Sequence, residues 1–494
     1  MGKVLVIGID GLDPKLLEKL ERELPNLKGL RGKGDMIRCN SIYPYDSVPI
    51  WSSIYTGVTP AKHGILKVNN NDLFRQSFRN ENNLIGRTFW DYASDAGKKV
   101  CIINPFIAYP PWKVNGIMVS GPVDPAMGQP LSKPEEIAID YQLPPMGGIH
   151  QHYPAKKDLD QFIKRSEEMT KAEAEFSLSL LRDSEWDLAF ICFTALDGIE
   201  HFFWRYQDVA DPTYIPGNKY ESAIKEFYIL MDQIVGEFAK LSYDTLIVLS
   251  DHGHGMRNTR LVNINDVLYN INLINVNNGA KSQDITLKIL NSAKKRLLNL
   301  TSYLNLDDKV LRCAQRFPKL TKRIQKSDYC INKQECIAFT SDLAGMNPCG
   351  GVELVSSNTP DGDREKICLR IITQLLNLED PNTGQKIVKW ACMREQLYDG
   401  PFLSTFPDIL FELEGSYGTN WNINAGLIED NYAHKIISGG HKSEAVFLIV
   451  GEGRGSIRSE ITSVDVAPII LGTLGVKPPA HFDGFALDND TCLD

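Results

Sequence analysis

The stretch Lys3–Ile9 reads KVLVIGI, and Asp10-Gly11 follows it directly. A short apolar run rich in β-branched residues and bounded by turn residues is typical of a strand buried on both faces, as in a mainly parallel sheet covered by helices. Three further runs share this character: Trp186–Phe193 (WDLAFICF), Thr245–Leu249 (TLIVL) and Ala445–Val450 (AVFLIV). Amphipathic stretches between the runs predict helices at Pro14–Leu24, about Lys157–Arg182 and roughly Tyr220–Leu241. This alternation favours an α/β fold with a mainly parallel central sheet.

Side chains of the metal-ligand type lie at the ends of the predicted strands. Asp10 follows the first strand and Asp197 follows the second. Asp251-His252 follow the third, and His441 lies on the predicted loop before the fourth. In open α/β sheets the ligand crevice lies beyond the carboxyl ends of the strands, so we expect these residues to form one site.

The spacing of these residues suits a pair of divalent cations. Asp197 and His201, in the segment DGIEH, are four residues apart, which places both side chains on one face of a helical turn. Each piece alone has a plain alternative: a turn residue, a surface helix pair or an exposed loop histidine. Together, three aspartates and three of the nine histidines form a two-metal ligand set. Carboxylate and imidazole donors suit Zn²⁺ best, with Mn²⁺ or Fe²⁺ also compatible.

Ser47 is the candidate nucleophile. It lies in the polar turn Asp46-Ser47-Val48-Pro49, before the helical pattern Trp51–Tyr55. A serine at a helix N-terminus is commonly a cap, but backbone amides there also favour a phosphoryl oxygen. Metal coordination would lower the pKa of the hydroxyl and make it an alkoxide nucleophile.

Composition narrows the class of protein. The 494 residues can form one large core or two domains, and 43% of them are hydrophobic, as in ordinary globular proteins. No apolar run approaches the roughly 18 to 20 residues of a membrane span. The N-terminus enters a strand at once, which leaves no room for a signal peptide, and the ten cysteines are widely spaced. We therefore expect a cytoplasmic protein, and the net charge of −9 argues against stable nucleic-acid binding.

A basic segment interrupts this acidic chain. Lys294–Lys326 contains ten basic residues against Asp307 and Asp308. The plain interpretation is a solvated helical insertion. The alternative is a cap that attracts polyanionic substrates or docks on an acidic surface.

The motifs together resemble the alkaline phosphatase superfamily, and within it the type I phosphodiesterase/nucleotide pyrophosphatase branch. The resemblance covers most of the chain and rests on these segments: Ile9-Asp10-Gly11, Ser47-Val48-Pro49, Tyr55-Thr56-Gly57, Pro60-Ala61-Lys62-His63-Gly64, Asp197-x-x-x-His201, Ser250-Asp251-His252-Gly253 and Gly440-His441.

The resemblance implies an α/β/α sandwich that holds two metals. One metal would be bound by Asp197, His201 and His441, and the other by Asp10, Asp251, His252 and the Ser47 oxygen. Ser47 would form a covalent phospho-enzyme that a metal-bound water then hydrolyses. The implied domains are a catalytic core over residues 1–256 and 401–494, with an inserted accessory (cap) region over residues 257–400.

Two positions after Ser47 differ from the patterns of related families, and these differences narrow the range of possible substrates. Sulfatases carry an arginine four positions after the modified residue, where this chain has Trp51, so sulfate ester hydrolysis is disfavoured. Nucleotide pyrophosphatases commonly carry an asparagine three positions after the nucleophile, where this chain has Ile50. The leading hypothesis is a hydrolase of phosphodiester or nucleotide pyrophosphate bonds in small-molecule substrates. The alternatives are a phosphomonoesterase or phosphomutase, with Lys67, Arg75 and Arg79 as candidate phosphate-binding cations, and a metal-binding scaffold that has lost catalysis.

Overall fold

The computed structural model describes most of the chain. It covers residues 2–66, 87–123, 128–147, 154, 156–274, 331, 333–341, 343, 348–359, 362–423, 426–451 and 457–485. The basic segment Lys294–Lys326 and the candidate cations Lys67, Arg75 and Arg79 lie outside these residues.

The described strands are numbered in chain order. They are β1 Val4–Ile9, β2 Asp35–Asn40, β3 Val100–Ile103, β4 Gly116–Ser120, β5 Leu131–Lys133, β6 Leu188–Phe193, β7 Thr245–Leu249, β8 Gly253–Met256, β9 Arg260–Asn263, β10 Ala338–Ser341, β11 Cys349–Leu354, β12 Val388–Met393, β13 Ile409–Leu413, β14 Tyr417–Asn420, β15 Ile428–Asp430, β16 Gly439–Lys442, β17 Glu444–Gly451 and β18 Glu460–Thr462. The α-helices span Pro14–Lys19, Pro25–Arg31, Ser47–Thr56, Pro60–His63, Phe89–Asp95, Glu136–Asp140, Leu159–Asp183, Ala195–Gln207, Ala223–Phe238, Ile264–Asn270, Arg364–Leu376, Arg394–Leu397 and Val466–Thr473.

A nine-stranded sheet forms the core, in the order β18-β2-β17-β7-β1-β6-β3-β4-β5. Strands β7, β1, β6, β3 and β4 run parallel, whereas β17 is antiparallel to both β7 and β2. The four strands predicted from the sequence are β1, β6, β7 and β17, and they are adjacent at the centre of this sheet. The predicted α/β fold with a mainly parallel central sheet is therefore confirmed.

Both faces of the sheet are covered by helices. Along β1, Leu5, Ile7 and Ile9 enter one hydrophobic cluster while Val4 and Val6 enter another, because successive strand side chains point to opposite faces. The first cluster includes buried residues from the helices Leu159–Asp183, Ala195–Gln207 and Ala223–Phe238. The second includes those from the helices Ser47–Thr56, Phe89–Asp95 and Val466–Thr473. The arrangement is an α/β/α sandwich.

A smaller antiparallel sheet, β10-β11-β13-β12, packs with the helix Arg364–Leu376 around a third hydrophobic cluster. One of its strands, β13, lies beyond residue 400. The domain limits 1–256, 257–400 and 401–494 stay a prediction. No helix within the described ranges is long and apolar enough to span a membrane.

His63 is a buried structural histidine beside the helix Ser47–Thr56. Its Nε2 lies 2.9 Å from Ser53 Oγ, and its Nδ1 accepts a hydrogen bond from the Ile65 amide at 3.0 Å. Burial lowers the pKa of His63 from 6.5 to about 3, since a charged ring would lose its hydration there.

This pKa makes the stability of the fold depend on pH. Between about pH 6.5 and pH 3 the unfolded state binds one more proton at His63 than the folded state does. The stability that the neutral His63 contributes is therefore fully present above pH 6.5 and is lost as the pH falls below that value. When the pH is lowered from about 7.5 to 5.5, the free energy of unfolding measured with urea should fall by roughly 1.4 kcal/mol more in the wild type than in His63→Gln. An identical pH dependence in the two proteins would contradict this assignment.

Candidate active site

The sheet order brings the candidate ligands to one edge. The carboxyl ends of the adjacent strands β7, β1 and β6 lead to Asp251, Asp10 and the helix that carries Asp197. Strand β17 runs antiparallel to β7, so the chain just before it lies at the same edge. His441 lies there on β16, which pairs with β8. The prediction that His441 lies on a loop was wrong, because the residue belongs to β16. A run as short as GGHK has no apolar pattern from which this strand could have been predicted.

Asp10, Asp251 and His252 form one buried cluster, called here the Asp10 group. Each offers a ligand atom within 4.8 Å of the other two. His252 Nε2 lies 3.2 Å from Asp251 Oδ2 and 3.7 Å from Asp10 Oδ1. His252 Nδ1 lies 3.1 Å from the Gly253 carbonyl oxygen. A carbonyl oxygen can only accept, so Nδ1 carries the hydrogen and Nε2 presents a lone pair to the two carboxylates.

Asp197, His201 and His441 form a second cluster, the Asp197 group, again with ligand atoms within 4.8 Å of one another. Asp197 Oδ1 lies 3.3 Å from His201 Nε2 and 3.4 Å from His441 Nε2, and the two nitrogens are 3.0 Å apart. His201 Nδ1 lies 3.0 Å from the Gly439 carbonyl oxygen, and His441 Nδ1 lies 3.2 Å from that of Tyr45. Such outer contacts orient histidine ligands in metal sites. Both Nε2 lone pairs therefore face Asp197.

Ser47 lies beside the Asp10 group. It is the first residue of the helix Ser47–Thr56, and its Oγ lies 3.0 Å from His252 Nε2 and 3.4 Å from Asp10 Oδ1. The helix cap is Asp46, whose carboxylate accepts from the Val48 amide at 3.3 Å, so the capping role considered for Ser47 belongs to its neighbour.

Trp51 and Ile50 occupy the positions that distinguish related families. The indole Nε1 of Trp51 donates to Asp10 Oδ2 at 3.0 Å and so orients that carboxylate. Ile50 is fully buried in the apolar cluster beneath the sheet and offers no hydrogen-bond donor.

The surroundings of Asp10 and Asp251 disfavour their ionised forms, whereas those of Asp197 favour its ionised form. Burial raises the pKa of Asp10 well above its ordinary value, and the carboxylates of Asp251 and Asp197 raise it further. Burial and the charge of Asp197 raise the pKa of Asp251 to about 7. Burial alone would also raise the pKa of Asp197, but the positive charges of His201 and His441, when these rings are protonated, outweigh that effect and hold it well below its ordinary value.

Divalent cations fit this arrangement. Asp251 Oδ2 and Asp197 Oδ1 are buried and have no hydrogen-bond partner in the described part of the chain. In the two groups the imidazole Nε2 atoms lie 3.2 to 3.7 Å from the carboxylate oxygens, and a cation between them would replace the repulsion of lone pairs by coordination. The rings of His252 and His441 stack with centroids 3.7 Å apart, so the two groups adjoin.

All seven residues singled out in the sequence meet at this edge of the sheet. They are Asp10, Ser47, Asp197, His201, Asp251, His252 and His441. Their roles as ligands and as nucleophile stay predictions.

Two further buried residues, His254 and Glu200, lie against the site and received no role from the sequence. His254 forms a third group of metal-ligand type with Asp197 and His252. Glu200 is fully buried, and burial raises its pKa well above the ordinary value. The only signals in the sequence are the second histidine of DHGHG and the glutamate inside DGIEH.

Comparison with known proteins bears on both fold and family. The family model described as type I phosphodiesterase / nucleotide pyrophosphatase matches residues 4–333. Phosphonoacetate hydrolase from Sinorhizobium meliloti 1021, in complex with phosphonoacetate, is 14% identical with a TM-score of 0.50, and the match covers 95% of each chain. The same hydrolase in complex with phosphonoformate matches at 14% identity with a TM-score of 0.49, over 95% of each chain. At this identity the likeness to the first structure concerns the fold alone.

No curated protein matches the chain. The family model covers about two thirds of the 494 residues, which is enough to assign membership. The chain therefore belongs to the type I phosphodiesterase/nucleotide pyrophosphatase family of the alkaline phosphatase superfamily, and it is a phosphoester hydrolase.

Proposed function

We propose that this hydrolase cleaves phosphodiester or nucleotide pyrophosphate bonds of small molecules, with two divalent cations and with Ser47 as the nucleophile. The observation that carries the proposal is the position of Ser47 Oγ. Ser47 is the first residue of a ten-residue helix, and its Oγ lies 3.0 Å from His252 Nε2. Backbone amides and the dipole at such an end favour a phosphoryl oxygen.

The two buried groups would each hold one cation. Asp10, Asp251 and His252, with the Ser47 oxygen, would hold the first. The second would be held by Asp197, His201 and His441. Zn²⁺ is the best match to these oxygen and nitrogen donors, with Mn²⁺ or Fe²⁺ also compatible. When bound, such cations lower the pKa of a hydroxyl and polarise phosphoryl oxygens.

The residues of the chain then have defined tasks. Ser47 Oγ lies 3.0 Å from His252 Nε2 and 3.4 Å from Asp10 Oδ1, so these two residues would hold it beside the first cation and aim it at the substrate. The Ser47 hydroxyl would release its proton to solvent as the Oγ–P bond forms and the P–O bond to the leaving group breaks, and the departing oxygen would take up a proton from water. A second water would then hydrolyse the phosphorylated Ser47. Trp51 keeps Asp10 in place through its indole N–H.

The chief alternative is a phosphomonoesterase or phosphomutase that uses the same residues. A monoester carries one more negative charge, so it calls for an extra cationic donor near the phosphate. The candidate cations Lys67, Arg75 and Arg79 lie outside the described residues.

Sulfate ester hydrolysis is disfavoured because Trp51, which contacts Asp10, replaces the arginine of the sulfatase pattern. A cytoplasmic location stays a prediction from the cysteine spacing.

Metal content and ester preference test the proposal together. Elemental analysis of the purified protein should find about two transition-metal ions per chain, and bis(p-nitrophenyl) phosphate should be cleaved faster than p-nitrophenyl phosphate. Faster cleavage of the monoester would favour the alternative. Fewer than about one ion after reconstitution, with no turnover, would indicate a scaffold that has lost catalysis.

A further inference from the structure

Glu200 connects the Asp197 helix to the interior of the protein. It lies in the helix Ala195–Gln207, three residues after Asp197, and is fully buried. Its Oε1 accepts a hydrogen bond from the Tyr228 hydroxyl at 2.9 Å. Its Oε2 has no hydrogen-bond partner within the described ranges and lies 3.5 Å from His254 Nδ1. A buried carboxylate oxygen in this position calls for a donor, and His254 is beside it.

His254 is held in place from several sides. Its backbone amide donates to Asp13 Oδ2 at 3.2 Å, and its ring packs against the indole of Trp204 at 5.9 Å between centroids. The Asp13 amide in turn donates to the Tyr228 hydroxyl at 2.9 Å. Polar contacts therefore lead from Glu200 through Tyr228 and Asp13 back to His254. They fix the backbone of His254 on β8.

The Nδ1 atom of His254 lies between two carboxylates. It is 3.5 Å from Glu200 Oε2 and 3.6 Å from Asp197 Oδ1, and neither ring nitrogen has a hydrogen-bond partner among the residues described. With both carboxyl groups ionised, a nitrogen that faces their oxygens is stabilised when it carries a hydrogen and is repelled when it presents a lone pair. His201 and His441 differ, because carbonyl oxygens hold their Nδ1 hydrogens and leave their Nε2 lone pairs facing Asp197.

We propose that His254 and Glu200 are a positioning pair for the Asp197 group. The His254 N–H, shared between the two carboxylates, orients Asp197, and Glu200 keeps that hydrogen on Nδ1. The pair thereby sets the affinity of the Asp197 group for its cation without touching the cation. This inference rests on the proposed two-metal function.

A role as a metal ligand is less suited to His254. The Asp197 group already offers three protein ligands, and catalytic zinc sites keep the fourth position open for water or substrate. Outer contacts of ligating carboxylates and histidines, by contrast, typically change metal affinity about 10- to 100-fold when they are removed.

The test is a measurement of Zn²⁺ affinity by competition with a chromophoric chelator. The proteins are the wild type, His254→Phe, Glu200→Gln and the double variant. Phenylalanine retains the packing against Trp204 and removes both nitrogens. Glutamine retains the acceptor for Tyr228 but replaces Oε2 by an amide N–H₂, which displaces the hydrogen from Nδ1. Glu200→Gln also removes no volume, so it keeps the test available if His254→Phe folds poorly.

The matched control is Glu173→Gln. Glu173 lies in the helix Leu159–Asp183, is 3% exposed and likewise has one oxygen, Oε2, without a hydrogen-bond partner in the described chain. It belongs to neither metal-ligand group. We expect it to bind both ions as the wild type does, so a general effect of removing a buried carboxylate is separated from a specific one.

In each single variant we expect one of the two Zn²⁺ ions to bind about 10- to 100-fold more weakly and the other to be unaffected. The double variant should be no weaker than the worse single variant, since both residues act through Asp197. Wild-type affinity for both ions in His254→Phe and Glu200→Gln would overturn this inference alone. Complete loss of one ion in His254→Phe, with no effect of Glu200→Gln, would make His254 a ligand and overturn the positioning role. A wild type that binds no Zn²⁺ would overturn the proposed function and this inference together.

Discussion

Replacing Ser47 by alanine should reduce turnover of bis(p-nitrophenyl) phosphate by at least about 10³-fold, because the variant has no oxygen to attack phosphorus and form the covalent intermediate. The change removes one oxygen from a residue that is 9% exposed, and the cap of the helix is Asp46 rather than Ser47, so the fold should be retained. Steady-state rates and metal content would be measured on the same preparation. We expect the metal content to stay close to that of the wild type, since Asp10, Asp251 and His252 remain.

Ser52→Ala is the matched control for this experiment. Ser52 lies in the same helix and is fully buried, and its hydroxyl donates to the Val48 carbonyl oxygen at 2.8 Å. Its loss should lower stability by roughly 1 kcal/mol and leave turnover near that of the wild type. Turnover in Ser47→Ala that equals turnover in Ser52→Ala would exclude Ser47 as the nucleophile.

Asp251→Asn should have the second large effect, with activity and stability moving in opposite directions. The amide keeps an acceptor for the Gly11 amide, which donates to Asp251 Oδ1 at 3.2 Å. It removes the negative charge that faces His252 Nε2, so the Asp10 group should lose its cation and turnover should fall by at least about 10²-fold.

Without metal, Asp251→Asn should be more stable than the wild type, although its turnover is lower. The folded pKa of Asp251 is raised to about 7, so its ionisation disfavours the fold. The stability that the protonated carboxyl contributes is complete below the ordinary aspartate pKa of about 4 and is lost as the pH rises toward and through about 7. Above pH 7, metal-free Asp251→Asn should therefore unfold at a higher urea concentration than the metal-free wild type. Equal urea midpoints for the two metal-free proteins, together with wild-type turnover in Asp251→Asn, would refute both the raised pKa of Asp251 and its role as a metal ligand.

His441→Ala extends this test to the Asp197 group. We expect turnover to be abolished and one ion to be lost, while the Asp10 group keeps its own ion. His481→Ala is the comparison variant, since His481 is exposed and lies outside the metal-ligand groups. It should retain both ions and the wild-type rate.

Much of the architecture is already present in local sequence patterns. Apolar runs such as KVLVIGI and TLIVL indicated strands buried on both faces, and β1 and β7 are fully buried at the centre of the sheet. The four-residue spacing of Asp197 and His201 indicated a shared helical face, and both lie on the helix Ala195–Gln207. These features follow from the periods of the helix and the strand, which depend only on neighbouring residues. The motif set was also sufficient to indicate the family.

How the donors face one another depends on contacts between distant parts of the chain. The antiparallel direction of β17 places His441 at the carboxyl edge of β7, and the pairing of β16 with β8 turns its ring toward Asp197. The carbonyl contacts that leave the imidazole lone pairs free, and the burial of His254 between two carboxylates, join residues far apart in the chain. The amino-acid sequence was enough to predict the strands, the ligand types and the family, because those depend on local composition and spacing. Strand order and burial determined which lone pairs and charges converge, because such contacts exist only once distant segments have packed together.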